Sequence, residues 1–154
     1  MKILLVPDPT SPNGEDAFCR EIVKRAPARG HSASMRAAVD GHIEADVVVV
    51  NSLQTSSLLA AEAAKTPTVL RLIDSYVAAP AAVAAEARRF ALSSARVLVP
   101  SAYLRNIVAS WGVPLEKVYV APYAYDQIFA QQIALVTMRA ARPSGFGLVT
   151  AGPL

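Results

Sequence analysis

Apolar residues are arranged along this chain in short contiguous runs, separated by stretches in which they return every three or four positions. Contiguous apolar runs of this length are typical of strands that are buried on both faces of a sheet. The clearest is Val47 to Val50, followed by Asn51. The predicted strands span residues 2–6, 32–37, 46–51, 67–73, 96–99, 117–121 and 146–151.

The stretches between the strands have the periodicity of amphipathic helices. The first predicted helix runs from Glu15 to about Arg29; Pro27 is expected to kink or end it, and Gly30 to stop it. Its apolar face consists of Ala17, Phe18, Ile22, Val23 and Ala26. Further helices are predicted over residues 53–64, 79–94, 101–111 and 126–142.

The alternation of strands and helices decides the fold class. It predicts an α/β protein with a doubly wound, mostly parallel Rossmann-like sheet of about six or seven strands and helices on both faces. The break at Pro143 to Gly145 suggests a domain over residues 1–142. Residues 143–154 are then expected to be a linker and the first strand of an absent or truncated C-terminal domain.

Composition narrows the class of protein further. The chain has 154 residues, a formal net charge of +3 and one cysteine, Cys19, so an intrachain disulfide is excluded. No apolar run is long enough to span a bilayer, and the N-terminus lacks a signal-peptide pattern, so a cytoplasmic location is expected. A mildly basic surface is compatible with phosphorylated ligands or peripheral membrane binding. The basic residues are not interleaved with aromatics, and no nucleic-acid partner is predicted.

Five segments, taken in order, resemble the N-terminal domain of the GT-B-fold glycosyltransferases. The similarity is to the large retaining family, glycosyltransferase family 4-like, that includes glycogen synthase-like enzymes. The longest segment runs from Ala87 to Pro122 and ends in Gly112-Val113-Pro114-Leu115-Glu116-Lys117-Val118-Tyr119-Val120-Ala121-Pro122. The others are Asn13-Gly14-Glu15, Arg29-Gly30-His31, Thr66 to Asp74 and Leu148 to Leu154.

The resemblance implies an acceptor-side half of an enzyme that transfers a sugar from a nucleotide-sugar donor to a sugar or lipid-linked acceptor. The donor-binding residues of the family belong to the C-terminal domain, so this half is expected to be inactive without a C-terminal domain subunit. The family histidine before Asp74 is replaced by Ile73, and its terminal arginine by Pro153. The usual Asn-Gly-Val-Asp is replaced by Tyr123-Ala124-Tyr125-Asp126. These departures favour an alternative, a non-catalytic binding or interaction module that could form a homodimer.

Several candidate ligand residues lie where strands of a parallel sheet end. The backbone of Asn13 and Gly14 could approach a ligand at a helix N-terminus, or could form an ordinary turn. Asp74, the one catalytic candidate, could accept sugar hydroxyl groups, cap the next turn or pair with Arg71. Ser101 is expected to cap a helix as well as to line the site.

The remaining polar candidates are aromatic or imidazole side chains. Tyr123 and Tyr125 could stack on a sugar or fill a domain edge. His31 and His42 have no acidic or cysteine partner at metal-ligand spacing, so neither a metal nor a cofactor is expected. A receiver-type regulatory domain is a weaker alternative, because Asn51 stands where a phosphoacceptor aspartate would be needed.

Overall fold

The computed structural model describes residues 1–7, 14–39 and 42–122. Within these ranges the chain forms six parallel strands in one sheet, flanked by four α-helices. The strands are β1 (Lys2–Val6), β2 (Ser32–Met35), β3 (Val47–Asn51), β4 (Thr68–Arg71), β5 (Arg96–Val99) and β6 (Val118–Val120). The helices are α1 (Gly14–Arg25), α2 (Thr55–Ala63), α3 (Ala81–Ser93) and α4 (Ala102–Ser110).

The order of the strands across the sheet is β2-β1-β3-β4-β5-β6. The chain moves outward from β1 to β2 and then returns past β1 to β3, so the direction of winding reverses between β1 and β3. This is the topological switch point of a doubly wound sheet, beside which ligands bind in open α/β folds. The predicted fold class is therefore confirmed.

Two apolar clusters hold the helices against opposite faces of the sheet. The larger cluster joins Leu58 of α2, Phe90 of α3 and Val108 of α4 to buried strand residues such as Val50. The smaller cluster joins α1 to the other face through Leu5, Cys19 and Val49, with partly buried residues around them. Because successive strand residues point to opposite faces, the run from Val48 to Val50 serves both clusters.

The first helix ends earlier than predicted. It was expected to continue to about Arg29, but α1 ends at Arg25 and a 3-10 turn covers Pro27–Arg29. Pro27 has no N–H group to continue the helical hydrogen-bond ladder. Gly30 then adopts the left-handed conformation, with φ of 72°, and donates to the Pro27 carbonyl oxygen at 3.0 Å.

The other predicted boundaries differ from the observed ones by a few residues. None of these shifts exceeds two residues: β2 and β4 end two residues earlier than expected, at Met35 and Arg71, and α2 and α3 begin two residues later. A second 3-10 turn, Leu115–Lys117, comes before β6. Gly112, with φ of 93°, follows α4 as predicted. The predicted helix 126–142 and strand 146–151 lie outside the described residues.

Residues Met1–Pro122 form one compact unit of the chain. The predicted domain boundary at residues 142 and 143 lies outside the described residues and stays a prediction. No helix within the described ranges is long and apolar enough to cross a membrane. The cytoplasmic location remains an expectation from the sequence.

Candidate functional site

The parallel strands bring a set of polar residues together at one edge of the sheet. The register pairs Val6 with Val50 and Asn51 with Arg71, so the carboxyl ends of β1, β3 and β4 lie side by side. The next strand, β5, leads through Pro100 into Ser101 at the start of α4. We call this side of the sheet the carboxyl edge; it is where open parallel sheets place their ligands.

Asn51 is the centre of a buried polar network at this edge. Its side chain is fully buried, and its Nδ2 donates to the Val6 carbonyl oxygen at 3.3 Å and to Cys19 Sγ at 2.9 Å. Its Oδ1 accepts from the Arg71 guanidinium at 3.3 Å. A buried amide without such partners would destabilise the fold, because it would lose its hydrogen bonds to water. Asn51 therefore links β1, β4 and α1 through one side chain.

Arg71 is a charged residue in the interior, with only 3% of its surface exposed. It lies on the face of the sheet that α1 covers, and its guanidinium is 4.2 Å from the centre of the Phe18 ring. A guanidinium over an aromatic face is attracted by the ring's electron density, more strongly where water is excluded. This contact therefore holds the N-terminal half of α1 against the carboxyl end of β4.

The backbone is unusual immediately beyond these strands. Ser52, which follows β3, has φ of 59°, and Tyr76, which follows β4, has φ of 53°. Residues with a side chain rarely adopt this left-handed conformation unless their surroundings fix it. The Ser52 amide donates to the Arg71 carbonyl oxygen at 2.9 Å, which holds the turn after β3 against the end of β4.

Asp74 lies at the carboxyl edge with its side chain exposed. Its Oδ1 accepts from the Tyr76 backbone amide at 3.2 Å and from the Ser75 hydroxyl at 3.4 Å. These are the contacts of an aspartate that caps its own turn, which was one of the alternatives predicted for it. The geometry also leaves an exposed carboxylate at the edge that a hydroxyl group could approach.

Ser101 caps α4, as predicted. Its Oγ accepts a hydrogen bond from the Leu104 backbone amide at 3.3 Å, and its own backbone is extended. A serine hydroxyl that accepts one hydrogen bond can still donate its proton to a ligand. Asp74 and Ser101 follow neighbouring strands, so the fold brings these two candidates to the same edge.

The other predicted candidates lie at a helix N-terminus, on the surface or outside the described residues. Gly14 is the first residue of α1, which places it at a helix N-terminus. Asn13, Tyr123 and Tyr125 lie outside the described residues. His31 is exposed, and His42 lies 3.6 Å from Glu44 on the surface. Among the residues that the structure describes, no three potential ligands are grouped to hold a metal ion.

Sequence reasoning did not identify the network around Asn51 and Arg71 as part of the site. A signal was present, because each is a polar residue at the end of an otherwise apolar strand. Gln54, whose Nε2 donates to the Pro7 carbonyl oxygen, was missed as well. Its partner is 47 positions away in the chain, a contact that only the assembled sheet reveals.

Comparison with known proteins identifies the fold of this chain but not its family. Neither the protein-family models nor the curated proteins contain a match to this chain. Among solved structures, the chain is similar to Anabaena Alr3699/HepE in complex with UDP-glucose, with a TM-score of 0.63 and 15% sequence identity. The similarity covers 88% of this chain and 50% of HepE. The chain therefore shares the fold of about half of a protein that has been crystallised with a nucleotide sugar.

Proposed function

We propose that this chain is the N-terminal, acceptor-side domain of a GT-B-fold glycosyltransferase. In the complete enzyme a sugar is transferred from a nucleotide-sugar donor to a sugar or lipid-linked acceptor. The observation that carries the proposal is the all-parallel β2-β1-β3-β4-β5-β6 sheet, whose fold matches half of HepE over 88% of this chain. The five ordered motifs that resemble the GT-B family supply the assignment to glycosyl transfer.

The proposal assigns the acceptor to the carboxyl edge. The Asp74 carboxylate is exposed there and can accept a hydrogen bond from a sugar hydroxyl group. The hydroxyl of Ser101 follows the adjacent strand and can donate one. Hydrogen bonds of this kind orient an acceptor, so the contribution of this domain to the rate is mainly to hold the reacting hydroxyl group in position.

A domain that supplies one wall of a groove is expected to bind weakly and to catalyse nothing on its own. The developing charge of a glycosyl transfer has to be stabilised by groups that surround it in a site without bulk water. In the family that this chain resembles, the donor-binding groups come from the second domain. The proposal therefore requires a C-terminal domain, either in the same polypeptide or as a separate subunit.

The test is a turnover assay with nucleotide sugars, UDP-glucose first. The purified chain is incubated alone and together with a C-terminal domain added in trans, and released UDP is measured. We expect no release above the protein-free rate from the chain alone, and release in the mixture. Turnover by the chain alone would refute the half-enzyme proposal.

Two variants distinguish a role of the carboxyl edge from a general effect of lost charge. Asp74→Asn keeps an oxygen for the Tyr76 amide but removes the negative charge, and it is expected to slow transfer by about tenfold or more. Glu116→Gln is the matched control. Glu116 is an exposed carboxylate in the 3-10 turn that precedes β6, so it lies at the amino ends of the strands, opposite the carboxyl edge. It should leave the rate unchanged.

A non-catalytic binding module is the second candidate, and two observations favour it. Ile73 replaces the histidine that the family places before the aspartate, and Asp74 already caps its own turn. Under this proposal the mixture with a C-terminal domain releases no UDP, and the chain associates through the surface that would otherwise face the second domain. Gel filtration at high concentration would then show a dimer, whereas a monomer at all concentrations would count against it.

A further inference from the structure

Asn51 and Arg71 contact both the last residue of β1 and the first two turns of α1. At the strand end, Asn51 Nδ2 donates to the carbonyl oxygen of Val6, the last residue of β1. At the helix end, the same nitrogen donates to Cys19 Sγ, and Arg71 covers the ring of Phe18. One buried amide therefore determines how far the last residue of β1 lies from the first two turns of α1.

We propose that Asn51 is a positioning residue, which holds α1 in place against the carboxyl ends of β1 and β4, beside the acceptor groove. What the groove binds rests on the proposed function, whereas the attachment of α1 does not. Asn51 itself is fully buried, so its effect on binding is indirect. It acts through the elements that it joins.

The amide group of Asn51 has the donors and the acceptor that this role requires. The carboxamide offers two N–H donors and an acceptor oxygen, and all three are directed to different elements of the fold. The Val6 carbonyl faces the nitrogen and the Arg71 guanidinium faces the oxygen, so the orientation of the amide is chemically determined. Aspartate lacks the donors, and leucine lacks all polar contacts.

The backbone pairing of the strands does not involve this amide. Backbone hydrogen bonds pair β3 with β4 from Val48 to Asn51, and the larger apolar cluster lies on the opposite face of the sheet from α1. Loss of the Nδ2 contacts should therefore loosen α1 locally. Segments that open locally exchange their amide hydrogens faster than the global unfolding rate predicts, which makes the effect measurable.

The experiment is hydrogen–deuterium exchange on the full 154-residue chain without ligand, followed by mass spectrometry. Asn51→Asp keeps an oxygen for Arg71 but cannot donate to Val6 or Cys19. We expect the amides of residues 18–23 to exchange about tenfold faster in this variant, since two hydrogen bonds are lost. Exchange in β3 and β4 should stay within about twofold of the wild-type rate.

Substitutions at Cys19 provide a second, independent set of variants. Cys19→Ala removes the acceptor on α1 and is expected to accelerate exchange in residues 18–23, whereas Cys19→Ser keeps an acceptor and should keep exchange slow. If Cys19 only filled space in the core, the alanine and serine variants would show similar exchange rates in residues 18–23. Thr55→Val is the control, because it removes the 2.9 Å hydrogen bond to Glu86 between α2 and α3, away from α1.

The proposal is overturned if α1 exchanges at the wild-type rate in both Asn51→Asp and Cys19→Ala. It is also overturned if all six strands accelerate together with α1, since Asn51 would then stabilise the whole domain. Both outcomes are independent of glycosyl transfer, which is tested separately by the UDP-release assay. If transfer is observed, Asn51→Asp should raise the KM for the acceptor identified there several-fold and leave the KM for the donor unchanged.

Discussion

Ser101 is the N-cap of α4, and its contribution to stability can be measured without a ligand. Ser101→Ala removes the oxygen that accepts from the Leu104 amide and leaves that partly buried helix N–H group without this acceptor. Loss of a serine N-cap typically costs about 0.5–2 kcal/mol. The observed bond of 3.3 Å is long for an N–H···O contact. We therefore expect a decrease of about 0.5–1 kcal/mol in the free energy of unfolding.

Urea unfolding followed by tryptophan fluorescence measures this change directly. The single tryptophan, Trp111, is the C-cap residue of the same helix and is partly buried. With a typical urea dependence for a small domain, the midpoint should fall by about 0.3–0.6 M. Ser101→Asp keeps an accepting oxygen and adds a charge that suits a helix N-terminus, so its stability should stay within about 0.3 kcal/mol of wild type.

Ser110→Ala is the matched control for the cap. Ser110 is exposed at the other end of α4, and its hydroxyl bonds only to the Ile107 carbonyl oxygen in the preceding turn. Its replacement should change stability by less than about 0.5 kcal/mol. If Ser101→Ala is as stable as wild type, or if Ser101→Asp is as unstable as the alanine variant, then Ser101 does not stabilise α4 by capping it.

Two further predictions concern stability and reactivity. Lys65, exposed after α2, has φ of 53°; Lys65→Gly should therefore raise the free energy of unfolding by about 0.5–1 kcal/mol. Ala64→Gly, one residue earlier in a right-handed conformation, should lower it by a similar amount, about 0.5–1 kcal/mol; the same sign at both positions in urea unfolding would refute this. Cys19 is fully buried, so its thiol should not react with a thiol reagent in the native protein and should react in urea; fast native labelling would contradict the structure.

The elements of the fold could be predicted because their signals are local. The run from Val47 to Val50 predicts a buried strand whatever surrounds it, and Ser101 predicts a cap from the apolar helix behind it. The apolar face of α1 continues to Ala26, which is buried, and so predicts a longer helix than the one that ends at Arg25; Pro27 predicts the earlier end that is observed. Burial follows the face of the helix, whereas the end of the helix is set by the missing N–H group of Pro27.

The buried network at the carboxyl edge could not be predicted, because its contacts are long-range. Arginine is rarely buried, and the sequence gives no indication that Arg71 has a buried amide on the next strand and an aromatic ring on α1. A single cysteine excludes an intrachain disulfide but does not predict where Cys19 lies, because its place in the core depends on the rotation of α1 against the sheet. Asp74 and Ser101 are predicted as candidates because each comes within three residues of the end of a strand, a position that parallel topology brings to one edge.

The most direct test of the central claim is to map where a C-terminal domain contacts this chain. Hydrogen exchange is measured on the chain alone and with the C-terminal domain added in trans. The proposal predicts protection of residues 72–77 and 101–105, which form the carboxyl edge around Asp74 and Ser101, with no change in residues 112–118 at the opposite edge. Protection confined to residues 112–118, with the carboxyl edge unchanged, would contradict an acceptor groove at this edge.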